Sequence, residues 1–320
     1  MDALTRLGIE LPVVQAGMGG GIARHELAAT VSEAGGLGTI AILPPEALAA
    51  EIAAARRLTE RPLAVNLLLP FARRGHWEAA ARADVVVTFW GAPKRRVPSV
   101  WAHQCGSVDE AVAAQRAGAD AVIAQGVEAG GHVRGTVPAI ELLERVRFEV
   151  PAGYPVLVAG GIATRDDVSR ALDAGASAAV VGTRFLLSEE SRAHPGYKRR
   201  LAAADETVLT ELFGAGWPRA PHRVVPNDAT RRWLGRDSRG PAAVRALNTI
   251  MGPVTARLPA SIQSRIVASQ RPGSPVLSPQ PPTDDGPASL LDAGPLYAGR
   301  TVARMGDVRG AAELTRDLAP

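Results

Sequence analysis

The stretch Ser107–Gln125, SVDEAVAAQRAGADAVIAQ, decides the fold. Ser107 stands as an N-cap ahead of Asp109 and Glu110, two acids that suit the positive end of a helix. The alanine-rich amphipathic segment Val108–Arg116 follows, and Ala117-Gly118 supplies the left-handed residue that ends a helix. Ala121–Ala124 comes next, too short and too apolar for anything but a strand buried on both faces. The same grammar recurs. Glu26–Glu33 leads through Ala34-Gly35-Gly36-Leu37-Gly38 to Thr39–Ile42, and Trp77–Arg82 leads through Ala83-Asp84 to Val85–Thr88. Thr164-Arg165-Asp166-Asp167 opens a helix that continues over Val168–Asp173 and leads through Ala174-Gly175-Ala176-Ser177 to Ala178–Val181.

Pro12–Gln15, Leu63–Asn66, Pro155–Ala159 and, more weakly, Ser99–His103 read as further strands. Strands alternating with helices imply a parallel sheet. Eight such units in about 200 residues predict an α/β fold, a closed (β/α)8 TIM barrel at the compact end of its range. An open doubly wound sheet is the alternative; it fits less well because the first strand lacks the glycine fingerprint of that fold.

Beyond Asp205 the grammar stops. Pro218, Pro221, Pro226, Pro241, Pro253 and Pro259 break the segment; Ala242–Met251 and Ser261–Gln270 read as helices, and Arg271–Pro287 as a loop rich in Pro, Ser and Gly. The expected organisation is a barrel over 1–204, an inserted, largely helical C-terminal cap over 205–300, and a segment 301–320 whose helix at Asp307–Leu318 packs back on the barrel.

Composition narrows the function classes. With 46% hydrophobic and 21% charged residues in 320, the chain is globular rather than disordered. It carries 36 basic and 32 acidic residues, and the only lysines are Lys94 and Lys198. The arginines are scattered among acids and aromatics reach only 4%, which argues against nucleic-acid binding. The single cysteine, Cys105, excludes internal disulfides and cysteine-rich metal sites. With no apolar signal region at the N-terminus and no membrane-length apolar run, a cytoplasmic location is expected.

In a barrel of this type the chemistry lies where strands end. The residues there are Ala16-Gly17-Met18-Gly19-Gly20-Gly21, Asn66, Gln125 to His132, Gly160-Gly161 and Gly182-Thr183. Gly160-Gly161 and Gly182-Thr183 follow the seventh and eighth strands and precede helices, an arrangement whose free N–H groups suit a phosphate. The loop from Gly17 to Gly21 either brings backbone close to a flat ring system or is a flexible turn. Asn66 and Gln125 either hydrogen-bond a heterocycle or are ordinary strand-terminal amides. His132, closing a Gly130-Gly131 turn, is the candidate for moving protons near neutral pH, with His103 in reserve. Cys105 reads as a small buried hydrophobe, no metal-spaced cluster is expected, and no Gly-x-Ser-x-Gly elbow occurs.

Leu11 to Met18, Ala34-Gly35-Gly36-Leu37-Gly38, Val65-Asn66-Leu67, Gln125 to His132 and Gly160-Gly161-Ile162-Ala163 appear in that order. Over roughly residues 8–200 this resembles the nitronate monooxygenase family, formerly 2-nitropropane dioxygenases, and the related flavin-dependent enoyl-acyl-carrier-protein reductases. The resemblance implies a TIM barrel holding FMN non-covalently. It places Asn66, Gln125 and Gly130 on the flavin, Gly161 and Val180-Val181-Gly182-Thr183 on its phosphate, and His132 at the family's catalytic histidine. Ala16, Gly17, Met18, Gly131 and Gly160 complete the expected cofactor site, with no metal.

The implied reaction is oxidation of an alkyl nitronate or nitroalkane, through one-electron transfer to the flavin and reaction with O2 as co-substrate, to a carbonyl compound and nitrite. The alternative is an NAD(P)H-dependent FMN enoyl-thioester reductase or a related biosynthetic flavin oxidoreductase. The expected partner is the small substrate, not nucleic acid or membrane, and a homodimer is allowed. Three departures from the family stand out: Gly17 where proline is common, Val180 where glutamine is common, and Pro93–Pro98 where a fourth helix is usual.

Overall fold

The structure is a computed structural model that describes residues 3–255, 258 and 260–320. Its strands are β1 Val13–Gln15, β2 Gly38–Ile40, β3 Leu63–Leu68, β4 Val85–Phe89, β5 Val100–Cys105, β6 Ala121–Gln125, β7 Gly131–His132, β8 Val156–Ala159, β9 Ala179–Val181, β10 Val208–Thr210, β11 His222–Val225 and β12 Leu296–Tyr297. Its helices are α1 Ala3–Leu7, α2 His25–Glu33, α3 Pro45–Arg56, α4 Arg74–Ala80, α5 Val108–Arg116, α6 Ala139–Glu149 and α7 Arg165–Asp173. They continue with α8 Thr183–Leu186, α9 Pro195–Ala202, α10 Asp228–Trp233, α11 Ala242–Thr255, α12 Ala260–Ala268, α13 Leu290–Ala293 and α14 Ala311–Leu318. No helix among the described residues is long and apolar enough to cross a membrane.

Contacts divide the chain into two compact units. One comprises Met1–Ala129, Arg134–Ser191 and Val308–Pro320; the other comprises Gly130–Val133 and Arg192–Asp307. The divisions fall at 191 and 307, where the sequence suggested 204 and 300. The reason lies in α9 and the short 3-10 turn Val302–Arg304, which pack together in the second unit, where the Tyr197 hydroxyl also donates to Tyr297 O at 2.7 Å.

In the first unit eight parallel strands follow the order β1-β9-β8-β6-β5-β4-β3-β2. The ring closes through Leu37, whose N–H donates to Val13 O at 3.0 Å while Gln15 N–H donates to Leu37 O at 2.9 Å. Strand side chains alternate between two buried layers, as the pleat requires. The inner layer includes Val14, Ala64, Val87, Ala102, Ile123 and Val180. The outer layer, Val13, Val65, Val86, Trp101 and Val122 among others, packs under the helices. Alanine and valine together make up most of the inner layer, small enough to pack inside a narrow barrel.

The helix signals act as expected. Ser107 Oγ accepts from Glu110 N–H at 3.2 Å, and Thr164 with Asp167 forms a reciprocal capping box. Gly35, Gly118 and Gly175 end α2, α5 and α7 at φ +96°, +85° and +93°. Between Gly91 and Ser99 there is no helix, and the turn after β4 holds Trp90 at φ +59° and Gly91 at φ +105°. The helix after β9 is one turn long, and α14 takes its place in the outer ring. Its Ala311, Leu314 and Leu318 belong to the outer core, and α14 packs against α2 and α7. The Glu190 carboxylate caps α14 at Ala311 N–H, 2.8 Å.

The second unit is not only helices and loop. β11 is the centre of a small antiparallel sheet, with β10 on one edge and β7 and β12 side by side on the other. The strands escaped the sequence reading because they are two to four residues long and set among prolines. α11 runs to Thr255, past Pro253, which the sequence suggested as a break; Pro259 lies outside the described residues. The segment 271–287 has neither helix nor named strand, yet it is anchored. Leu277 is fully buried, its N–H donates to Asn248 Oδ1 at 3.3 Å, and Ser278 N–H donates to Gln270 Oε1 at 2.8 Å.

Candidate active site

Four adjacent strand ends of the first unit bring most of the expected site together. β1, β9, β8 and β6 are neighbours in the sheet, so Ala16, Gly182, Gly160 and Gln125 follow one another around the barrel mouth. Backbone bonds tie the row together: Ala16 N–H donates to Val181 O at 2.9 Å, and Gly126 N–H donates to Ala159 O at 2.9 Å.

Asn66 shares the inner face of β3 with Ala64, and Gln125 the inner face of β6 with Ile123. Both amides are buried. Gln125 Oε1 accepts from Arg134 N–H at 2.9 Å, which fixes the orientation of the amide. The Arg134 guanidinium pairs with Glu110 and lies 4.8 Å from the Trp90 ring centroid.

Gly17 explains its own departure from the family. A Cβ there would collide with Asn66 Cβ, so glycine lets the β1–α2 loop lie directly on the Asn66 side chain. Gly160 and Gly161 turn the chain at φ +115° and +76°, backbone that L side chains rarely adopt. Among the described residues, no turn or cap hydrogen bond uses the N–H of Gly160, Gly161 or Gly182. A Cβ at Gly182 would meet only Ala16 Cβ, at 3.7 Å. These loops therefore offer backbone donors and room at the position where (β/α)8 barrels hold phosphate.

Three expectations need correction. The amides just ahead of α7 are not open to an anion: the Asp167 carboxylate accepts from Ala163 N–H at 2.9 Å and from Thr164 N–H, at the N-cap, at 3.0 Å. Between the glycine turn and α7, the Ala163 and Thr164 amides are thus committed, while no turn or cap bond among the described residues uses those of Gly160 and Gly161. Val181 shares the outer face of β9 with Ala179 in the layer under the helices, so only its backbone is at the mouth. Met18 likewise packs its side chain against the outer core. Thr183 opens α8, directly after Gly182.

The Gln125-to-His132 motif is shared between the units, with Gln125–Ala129 in the first and Gly130–Val133 in the second. Part of it is structural: Glu128 Oε2 accepts from Ala139 N–H at 3.0 Å and caps α6. Gly130 is needed because a Cβ would lie 2.6 Å from the Ala298–Gly299 peptide. Gly131, at φ +70°, sits in open space and opens β7.

His132 itself is held in a nest of rings. β7 pairs with β11 so that His132 lies opposite His222, and Val133 N–H donates to Pro221 O at 2.8 Å. The imidazole stacks on Trp217 with centroids 3.8 Å apart and planes 21° apart. His222 and Tyr297 flank it at 5.2 and 5.6 Å, both tilted. Burial, followed by the effect of a charge on His222, holds the His132 pKa well below its ordinary value, so the ring is neutral at pH 7.

His222 is neutral for a visible reason. Its Nδ1 bonds Ala220 O at 2.9 Å, and its Nε2 accepts from Phe213 N–H at 3.2 Å, a pattern only the Nδ1-protonated tautomer satisfies. Burial pushes its pKa down to about 4. Trp217, His222 and Tyr297 were not picked out from the sequence. The available signal was the run His222–Val225 between Pro221 and Pro226, which has the length and content of a strand.

The reserve residues are structural. His103 lies within β5 on the outward face with Trp101 and Cys105, and its Nδ1 bonds the Thr88 hydroxyl at 2.7 Å. Burial, assisted by the Arg134 charge, lowers its pKa to about 4. Cys105 is fully buried, and burial pushes its thiol pKa well up. It should resist a thiol-specific disulfide reagent in the folded protein and react only after denaturation; rapid native labelling would contradict this placement.

One His/Glu group meets metal-ligand spacing among the described residues: His25, Glu26 and Glu51. Its geometry has a capping explanation. Arg24 provides no side-chain cap for α2, and Glu51 Oε2 instead accepts from His25 N–H at 3.0 Å and bonds His25 Nδ1 at 2.6 Å. Arg24 holds the other Glu51 oxygen at 3.2 Å.

Two of the buried histidines, His103 and His222, give the protein a pH dependence. The folded pKa of each, about 4, lies below the ordinary 6.5, so the unfolded chain binds more protons. Their contribution is fully present above pH ~6.5 and is lost as pH falls from there towards 4, by at most on the order of 3 kcal/mol each. The urea midpoint should therefore drop markedly between pH 7.5 and 4.5. A constant midpoint over that range would contradict the assignment.

The fold and these strand-end loops define a (β/α)8-barrel enzyme of the flavin oxidoreductase type. Residues 2–92 and 92–264 match the family model for nitronate monooxygenase, and the chain belongs to that family. It is 36% identical over 252 residues, 74% of this chain and 69% of the relative, to (3aS,4S,5R,7aS)-5-hydroxy-7a-methyl-1-oxo-octahydro-1H-indene-4-carboxyl-CoA dehydrogenase of Mycobacterium tuberculosis. It is 35% identical over 269 residues, 65% of this chain and 76% of the relative, to a nitronate monooxygenase of Pseudomonas aeruginosa. Among solved structures, FabK from Thermotoga maritima superposes with a TM-score of 0.77 at 28% identity, covering 98% of this chain and 93% of that one.

Proposed function

We propose that this chain is an FMN-dependent enzyme that oxidises alkyl nitronates with O2 to a carbonyl compound and nitrite. The observation that carries the reading is His132: a neutral, ring-packed imidazole in the Gly-Gly-His segment through which the sequence resembles nitronate monooxygenases. The barrel mouth fits the cofactor. Gly160, Gly161 and Gly182 offer N–H donors for the phosphate, and Asn66 and Gln125 place buried amides on the inner faces of their strands, where the ring system would lie. Ala16 and Gly17 let the backbone approach it. FMN, when bound there, supplies the electron acceptor.

The protein's own groups do the rest. A neutral imidazole can donate one N–H to a nitronate oxygen, which orients the substrate without a fixed positive charge that would hold the product nitrite. With a pKa held this low its other nitrogen is only a weak base for the α-proton of a neutral nitroalkane, so a preformed nitronate should be the better substrate. The ring packing around His132 keeps water from its faces.

A second reading has its own support. The identity to a carboxyl-CoA dehydrogenase favours an oxidoreductase acting on a CoA thioester, for which NAD(P)H would be the partner of the flavin. Assay of the FMN-loaded protein in air with propionate 3-nitronate separates the two. Nitrite release at enzymatic rates is expected. FMN binding without nitrite from any nitronate, together with NADPH-dependent reduction of an enoyl-CoA, would replace the first reading by the second.

A further inference from the structure

We propose that Trp217 is a positioning residue for His132, a flat shelf that fixes the plane of the imidazole and leaves its edge to the substrate. The proposal rests on the reading of His132 as the acting group. Three rings surround His132, and they differ in kind. His222 and Tyr297 are tilted by 57° and 48°, and their polar atoms are committed elsewhere: both His222 nitrogens are bonded, and the Tyr297 hydroxyl donates to Pro279 O at 2.8 Å. They are backstops. Trp217 alone lies close and nearly parallel, at 3.8 Å and 21°.

The β7–β11 pairing fixes the His132 backbone but not the two side-chain torsions that swing the imidazole. A face-on ring of indole size restricts both torsions at once, because rotation about either drives the imidazole edge into the indole. The shelf is itself anchored in a turn. Trp217 N–H donates to Gly214 O at 3.1 Å, and Ala215 N–H donates to Leu277 O at 3.1 Å. The half-buried Trp217 thus sets the direction from which a nitro group or carbonyl meets an imidazole nitrogen.

The test compares FMN-loaded Trp217→Leu and Trp217→Phe with the unmodified enzyme. Leucine keeps apolar bulk and removes the flat face; phenylalanine keeps the face. Misplacing an acting group by about 1 Å costs on the order of 100-fold. Trp217→Leu should therefore lose about 10–100-fold in kcat, with KM and flavin content little changed. Trp217→Phe should return kcat to within about 3-fold of the unmodified enzyme, since it preserves the stack.

The second readout needs no turnover. Proton NMR signals of the His132 ring, assigned by their disappearance in His132→Gln, should lie upfield in the unmodified protein under the indole ring current. They should move downfield in Trp217→Leu. A kcat for Trp217→Leu within 3-fold of the unmodified enzyme, or His132 signals that do not move, overturns the proposal. Displaced His132 signals in a protein that releases no nitrite from nitronates would support the positioning while overturning the nitronate reading.

Discussion

His132→Gln should lower nitronate turnover by about 10²–10⁴-fold, the range that positioned proton-moving groups contribute, while leaving FMN bound. Glutamine is the informative replacement because its amide can still donate a hydrogen bond but cannot exchange a proton. The β7–β11 backbone pairing does not depend on the imidazole, so the sheet of the second unit should persist. FMN should persist because its expected donors are the Gly160, Gly161 and Gly182 loops with Asn66 and Gln125, all in the first unit. The loss should be larger with a neutral nitroalkane, which needs a proton removed, than with a preformed nitronate, which needs only orientation. Steady-state nitrite assays with the two forms measure this directly. A variant retaining more than about a tenth of the activity on both would remove His132 from the chemistry.

Gly160→Ala is expected to weaken FMN binding by about 10–100-fold. At φ +115° an L side chain is strained, and its Cβ would lie 3.1 Å from the Ala129 backbone nitrogen, which cannot yield as a flexible side chain would. The turn must shift. The N–H groups of Gly160 and Gly161 move with it, and one lost hydrogen bond to a charged phosphate is worth about 1.5–3 kcal/mol. Gly273→Ala is the matched control, since nothing lies within 4 Å of its added Cβ. Titration of each apoprotein with FMN, followed by quenching of flavin fluorescence, should separate them clearly. Equal affinities would mean that the phosphate is held elsewhere.

How much of this was legible in the sequence depends on how local the cause was. The barrel was readable because each unit carries its own start and stop. Ser107 and Thr164 cap their helices, Gly118 and Gly175 end them, and β-branched runs begin within a few residues. Strand-end glycines and amides were readable for the same reason, because position after a strand fixes position at the mouth. Burial layer was harder. Val181 ends the correct strand but points under the helices, and only the pleat parity relative to Val180 reveals that.

Competition for backbone donors was harder still. Asp167 looked like a favourable acid in a first turn and proved to hold the Ala163 and Thr164 amides just ahead of its helix. The surroundings of His132 were the least legible, because every ring around it comes from more than 80 residues away in sequence, at Trp217, His222 and Tyr297. Such long-range pairing has no local signature beyond a four-residue strand between prolines.

The most direct measurement is the anaerobic spectrum of the purified, FMN-reconstituted protein. The account predicts a flavin absorbance band, with one FMN per chain, that bleaches rapidly on addition of propionate 3-nitronate and returns in air with release of nitrite. A protein that takes up no FMN, or whose bound FMN is bleached by NADPH but by no nitronate, would contradict it.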